Sequence, residues 1–217
     1  MATSPPTPSA APPRPAPAGP TVALRAREGV WANADPRAWD AHLIVEIAMA
    51  VGLALVIGPL FTMFVPLTMP QGGSFSLEML PIVFVAIRRG VVPGATTGLL
   101  FGCLCLLPFF RPFIYHPAQV LLDYPLAFAA VGLAGLVPVR GGWSLWGAVA
   151  TGAGARLVFH FVSGWIFFAT YAPSWEWPWL YALTYNLLYL VPQTAVTAIC
   201  LRPLLRAYDS AVGAARD

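Results

Sequence analysis

The sequence contains no lysine. Its formal charge of +3 therefore rests on arginine alone, and the charged residues together make up only 10% of its 217 residues. A soluble domain of ordinary composition carries about 25% charged residues, so this chain could not cover a globular surface. The arginines are scattered among short segments and form no basic stripe, which argues against nucleic-acid binding. Cysteine is scarce: Cys103, Cys105 and Cys200 all sit in apolar runs, their number is odd, and no C-x-x-C occurs. Buried small side chains are expected there, with neither disulfides nor a metal site. A Walker A run is also missing, so no ATP-driven step is expected of this sequence itself. No strong internal repeat is visible, and hence no inverted-repeat transporter signature.

What the chain does have is apolar sequence. It is 58% hydrophobic, with a mean hydropathy of +0.70. That composition points to an integral membrane protein. Residues 1–38 stand apart. MATSPPTPSAAPPRPAPAGP holds eight prolines in its twenty residues and has no apolar h-region of the kind a cleavable signal needs. Proline-rich sequence cannot build a core, so a disordered tail is expected over 1–38. A six-helix membrane domain is expected over 39–208, and a short C-terminal tail over 209–217.

The candidate spans lie at about 42–66, 74–88, 90–110, 117–139, 143–170 and 178–204, judged against the roughly 20 residues a helix needs to cross the hydrocarbon. The second is short and holds Pro81; Pro59, Pro125 and Pro192 interrupt the first, fourth and sixth. Broken spans are tolerated where neighbouring helices or a cavity satisfy the freed backbone groups. Arginine placement sets the expected orientation. Arg25, Arg27 and Arg37 precede the first span, Arg88 and Arg89 join the second and third, Arg140 joins the fourth and fifth, and Arg202 and Arg206 close the sixth; the opposite loops hold only Arg111. The expected fold is all-α, a polytopic bundle of six transmembrane helices with both termini cytoplasmic. Three of the eight tryptophans lie in YAPSWEWPW, as in an interfacial aromatic belt.

Ionisable residues inside a span are costly, about 2.5–3.5 kcal/mol at mid-bilayer on insertion scales, and usually face the bundle interior. Glu46, Asp123, Arg156 and His160 are of this kind, and Glu78 sits near the start of the second span. In LLDYPLAF, Asp123 follows Gln119 by one turn and precedes Tyr124. Two readings are open: a carboxylate facing a pocket for a cationic ligand, or an ion pair with Arg156 or another basic group that ties helices together. In RLVFHFVSGWIFF, Arg156, His160, Gly164 and Phe168 step by four along one face. Glycine there permits close approach of a ligand or helix. Arg156 is expected to pair with Glu46 or a helix end. His160, with no second ligand at metal spacing, reads as a hydrogen-bonding group. In YALTYNLLYLVPQ, Tyr181, Tyr185, Tyr189, Asn186 and Gln193 either bond a polar ring or hold helices together. In EIAMAVGLA, Ala48 and Gly52, and Ala50 and Ala54, are spaced for close helix contact, internal or with a partner subunit. Together the carboxylate, rings and amide suit a flat, cationic, nitrogen-rich ligand.

The stretches LIVEIAMAVGLA, EMLPIVFVAIRRG, QVLLDYPLAF, GLAGL, HFVSGWIFFATYA and YALTYN, spanning about 42–205, resemble the thiamine-specific substrate-binding (S) component of energy-coupling factor transporters, the ThiT family. The resemblance implies a six-helix protein of the bacterial plasma membrane, without enzymatic activity or cofactor. It implies capture of thiamine from outside in a pocket closed by the loop between spans one and two. It also implies a coupling transmembrane subunit and two ATPase subunits as partners. Carried over, the substrate-binding residues are Asp123, Tyr124, His160, Gly164, Phe168, Tyr181, Asn186 and Phe113, and the partner-docking face is Ala48, Ala50, Gly52 and Ala54. Phe168 stands where the family pattern has a stacking tryptophan, and Phe113 where it has tyrosine. The lid-loop tryptophan has no counterpart in QGGSFS, where Phe75 is the nearest substitute. Two other classes remain open: a stand-alone proton-coupled carrier using Asp123 or Glu46, and an intramembrane enzyme using His160 with Ser163.

Overall fold

The computed structural model describes residues 30–214 except Ala32 and Arg111. Residues 1–29 of the expected tail, including Arg25 and Arg27, and residues 215–217 lie outside the described residues, as does Arg111. Among the described residues there are six principal helices: α1 Ala41–Phe64, α2 Met79–Arg89, α3 Val91–Leu104, α4 Pro117–Leu136, α5 Gly142–Phe167 and α6 Pro178–Ala214. They follow the six expected spans closely. The last runs well beyond residue 208, through the stretch expected as a tail.

Helices α1, α4, α5 and α6 are long and apolar enough to cross a membrane. The other two are not. At about 1.5 Å per residue, α2 covers roughly 16 Å and α3 roughly 21 Å of a hydrocarbon core about 30 Å thick. Helix α2 is enclosed almost completely, from Met79 to Ile87, with only Phe84 less than buried. It can be short because it meets other helices, not lipid. Gly90, at φ +102°, turns the chain sharply from α2 into α3. That conformation favours glycine.

Segment 30–40, in part expected as tail, packs on this turn. The Asn33 side chain donates to the Arg89 carbonyl at 2.9 Å, and the Trp39 indole donates to the Asn33 carbonyl at 3.0 Å. Asp40 then caps α1, accepting from the Leu43 amide at 2.8 Å. The outward face of α1 carries Ile44, Val45, Met49, Leu53, Val56, Leu60 and Met63, all exposed, as a lipid-facing surface requires.

Helix α4 is composite. It begins as α-helix over Pro117–Leu121, widens to a π-turn over Leu122–Leu126, resumes over Ala127–Val131 and tightens to 3-10 over Gly132–Leu136. The π-turn has a cause in Pro125. Proline has no N–H to give to Leu121, and its ring would crowd that carbonyl in a regular α-helix. The wider turn relieves both, and the Ala127 amide bonds back to the Leu122 carbonyl. Helix α3 packs tightly here. A Cβ at Gly102 would lie 2.5 Å from the Tyr124 carbonyl oxygen, so only glycine allows this approach.

Alternation of the chain gathers loops 65–78, 105–116 and 168–177 at one end of the bundle. Residues 30–40, the Gly90 turn, loop 137–141 and the end of α6 lie at the other.

Candidate functional site

A cavity of about 500 Å³ opens among the loops 65–78, 105–116 and 168–177. Short α2 makes room for it, since Glu78, at the helix N-terminus, is its floor. The walls come from α1, α4, α5 and α6 and from the three loops. All eight residues expected to bind substrate line it: Phe113, Asp123, Tyr124, His160, Gly164, Phe168, Tyr181 and Asn186.

The π-turn presents Asp123 and Tyr124 to this space. Such widened turns recur at functional sites because they re-aim side chains. Asp123 does not pair with Arg156. Its Oδ2 accepts from the Gln119 amide at 2.7 Å, and its Oδ1 lies 3.2 Å from His160 Nδ1. His160 Nε2 in turn accepts from Arg156 Nε at 2.9 Å. A guanidinium can only donate, so Nε2 carries the lone pair and Nδ1 the proton that points to Asp123. Arg156 Nη2 reaches Glu78 Oε1 at 3.4 Å, where Gln193 also donates at 3.4 Å and Ser76 bonds the second carboxylate oxygen. The expected Arg156–Glu46 pair is absent: Glu46 lies at the opposite end and takes Arg89 at 2.6 Å. A continuous polar chain thus runs Gln119–Asp123–His160–Arg156–Glu78 through the bundle. Counted by residue type, its formally charged members are two carboxylates, Asp123 and Glu78, and one guanidinium, Arg156.

The same groups fix the loops around the cavity. Gln119 accepts from the Tyr115 amide at 3.0 Å and donates to the Phe113 carbonyl at 3.1 Å, while the Phe113 amide donates to the Tyr124 hydroxyl at 2.7 Å. Phe113 and Phe168 then meet with ring centroids 5.7 Å apart, and Tyr115 and Tyr171 flank Phe168 at 6.0 and 6.1 Å. This makes one aromatic wall.

The opposite wall is α6. Asn186 donates to the Ala182 carbonyl at 2.8 Å and to the His160 carbonyl at 3.4 Å, and accepts from the Tyr189 hydroxyl at 2.8 Å. Asn186 therefore ties helices together as well as lining the cavity. Gly164 lets α5 and α6 cross here; a Cβ on it would lie 3.0 Å from that of Ala182.

Loop 65–78 folds over the cavity as a short hairpin. Thr68 and Ser74 form an antiparallel bridge, and the Phe75 amide donates to the Leu67 carbonyl at 3.0 Å. The tip is Gln71-Gly72-Gly73. The Gln71 amide donates to the Tyr185 hydroxyl at 2.9 Å, and Gly73 sits so close to the Tyr189 ring that a Cβ would lie 2.7 Å from Cε1. Phe75 does not fill the place of a lid aromatic. It packs edge-on against Phe61, with centroids 5.3 Å apart, away from the cavity lining.

One further expectation is corrected, and one alternative class loses its support. Ala50 and Ala54 are 8% and 0% exposed, packed inside the bundle, while Ala48 and Gly52 face outward. Their two-residue offset sends the pairs to different sides of α1. Ser163 is buried with no hydrogen-bond partner among the described residues, and both ring nitrogens of His160 are engaged elsewhere. Ser163 and His160 therefore form no nucleophile–base pair.

Tyr185, Tyr189, Gln71 and Glu78 belong to the cavity but not to the residues expected to bind substrate. The tyrosine spacing on α6 pointed to the first two. Nothing in the sequence pairs Gln71 with Tyr185.

The arrangement matches known proteins over most of its length. The family model described as "Thiamine transporter protein (Thia_YuaJ)" matches residues 44–212. The chain belongs to this thiamine transporter family. It is 39% identical over 170 residues to "Thiamine transporter ThiT" of Bacillus subtilis (strain 168), covering 73% of this chain and 87% of the relative. It is 35% identical over 125 residues to the protein of that name from Lacticaseibacillus paracasei, covering 50% of this chain and 61% of the relative. A solved structure of ThiT from Listeria monocytogenes superposes with a TM-score of 0.68 at 26% identity, covering 81% of this chain and 98% of that one. The family and the four long apolar helices make the chain a multi-pass protein of the bacterial cell membrane, in a family of transporters rather than enzymes.

Proposed function

We propose that this chain captures thiamine in the 500 Å³ cavity. The observation that carries this reading is the Asp123 carboxyl group, held between Gln119 and His160 in an otherwise aromatic and hydrogen-bonding pocket. Thiamine is a monocation with a flat aminopyrimidine and a thiazolium ring. Asp123 would counter its charge and orient it, and the Phe113–Phe168 wall would stack on a ring face, with a cation–π contribution of roughly 0.5–2 kcal/mol when dry. The hairpin over residues 67–75 would exclude water, which strengthens each polar contact. The relatives named thiamine transporters support the ligand class.

In this reading the chain is the substrate-binding subunit of an energy-coupling factor transporter, with separate coupling and ATPase subunits. The absence of a Walker A run in this sequence fits that division of labour. Ala48 and Gly52, small and outward-facing on α1, are the surface left for the coupling subunit. The arginine pattern supports cytoplasmic termini, with the cavity opening outward.

The test is a thiamine titration of the purified protein in detergent, followed by tryptophan fluorescence and calorimetry. One-to-one saturable binding is expected. Asp123→Asn should weaken it by roughly 10- to 150-fold, as loss of a charged hydrogen bond worth about 1.5–3 kcal/mol implies. No binding by folded protein would overturn the reading.

The buried Asp123–His160–Arg156–Glu78 chain favours one alternative, a proton-coupled carrier that works alone. Proteoliposomes holding only this chain decide it. Thiamine uptake driven by a pH gradient would support the carrier, and uptake only with the ATPase subunits would support the first reading.

A further inference from the structure

A second cavity, of about 150 Å³, lies at the end of the bundle opposite the thiamine-sized one. Three arginines converge on it: Arg140 from the loop before α5, and Arg202 and Arg206 one turn apart on α6. The rest of its wall is Val139, Leu145 and Leu205, with the Gly141–Gly142 backbone at the start of α5. None of the described carboxylates forms a salt bridge with these arginines; Asp209, the nearest acid in sequence, is held by Arg88 at 2.8 Å. Like charges one helical turn apart repel. Arg140, Arg202 and Arg206 are exposed and have no carboxylate partner among the described residues, so together with the apolar side chains of the hollow they form a surface that suits an anion.

Depth identifies the source of that anion. Arg202 and Arg206 lie 24 and 28 residues along α6 from Pro178, or about 36 and 42 Å by helical rise. That is beyond a hydrocarbon core of about 30 Å and within the 40–45 Å that includes the headgroups. Trp143, in the first turn of α5, is 91% exposed beside this hollow, and Trp146 is exposed a turn later. Tryptophan at that position marks the membrane–water interface. Juxtamembrane arginines also serve topology, but topology needs no convergence from two elements on one cavity.

We propose that this hollow is a binding site for the phosphate headgroup of an anionic phospholipid. The guanidinium groups of Arg140, Arg202 and Arg206 hold the phosphate, and Val139, Leu145 and Leu205 meet the apolar part of the lipid.

The test uses the full chain in nanodiscs of phosphatidylcholine with increasing phosphatidylglycerol, and native mass spectrometry of lipid retained after mild detergent extraction. Wild type should retain phosphatidylglycerol in preference to phosphatidylcholine. The triple variant R140Q/R202Q/R206Q should lose that preference, with roughly a 100-fold drop expected if the three charges act together. R140K/R202K/R206K, which keeps the charge, should retain most of it. A monodisperse elution profile and unchanged helix content establish that each variant is folded. Where the glutamine variant does not fold, single R206Q and R202Q replace it and should each show a partial loss. Equal retention by folded wild type and variant would overturn the proposal. So would stabilisation by inorganic phosphate alone to the level reached with phosphatidylglycerol, which would make the site one for the free anion. Stabilisation only by an acidic segment of a partner protein would likewise overturn it.

Discussion

Arg156 donates its Nε–H to Nε2 of His160 at 2.9 Å, one turn further along α5. This bond decides the chemistry of the cavity's centre. It makes Nε2 of His160 the acceptor, so that the imidazole turns its Nδ1–H toward Asp123 and orients that side chain. His160→Gln would retain a donor and an acceptor but not their spacing. Thiamine affinity should fall by about tenfold or more, against little change for Ala48→Ser on the outer face, as read by calorimetry.

The Glu78–Arg156 pair is buried on both sides, with side-chain exposures of 10% and 5%. Removing one partner strands the other charge, which costs about 3–5 kcal/mol for a buried pair. Arg156→Met should therefore lower thermal stability sharply. Adding Glu78→Gln should recover a large part of the loss, and the double-mutant cycle gives the coupling. Additive effects of the two changes would show that the pair is not coupled.

By contrast, Glu46–Arg89 at the other end of the bundle is only partly buried, with side-chain exposures of 18% and 35%, and solvent-screened pairs contribute about 0–1 kcal/mol. Glu46→Gln should leave stability and thiamine affinity nearly unchanged. A loss of transport in Glu46→Gln with binding intact would revive this carboxylate as a proton site.

These two pairs also show what the sequence could and could not convey. Apolar length marked the six helices, and the spacing of four placed Arg156, His160 and Gly164 on one buried face of α5. All eight residues that the family resemblance implied line one cavity, and helical periodicity accounts for those on one face of a helix, such as His160 and Gly164. What periodicity cannot fix is the neighbour that face meets. Arg156 meets Glu78 and not Glu46 because α2 is buried at the bundle centre, a fact of packing. Ala50 and Ala54 share the small size of Ala48 and Gly52 but lie on the side of α1 that the core claims. The lid was least legible: the Gln71–Tyr185 contact joins residues 114 positions apart, and a backbone amide donor has no side-chain signature.

That contact carries the last prediction. The Tyr185 hydroxyl is the hydrogen-bond acceptor for the Gln71 amide at the hairpin tip, and Gly73 lies flat against the next tyrosine, Tyr189. Tyr185→Phe removes one hydrogen bond, worth about 0.5–1.5 kcal/mol, while keeping the ring. The hairpin should still close but open more often, so thiamine should leave roughly 2- to 12-fold faster with its association rate little changed. Gly73→Ala is the harsher change, since its Cβ would collide with a buried ring and push the tip away from α6. Stopped-flow fluorescence separates the two: Tyr185→Phe should move the dissociation rate alone, and Gly73→Ala should weaken binding further with the fold intact. Dissociation from Tyr185→Phe at the wild-type rate would show that the hairpin does not govern release.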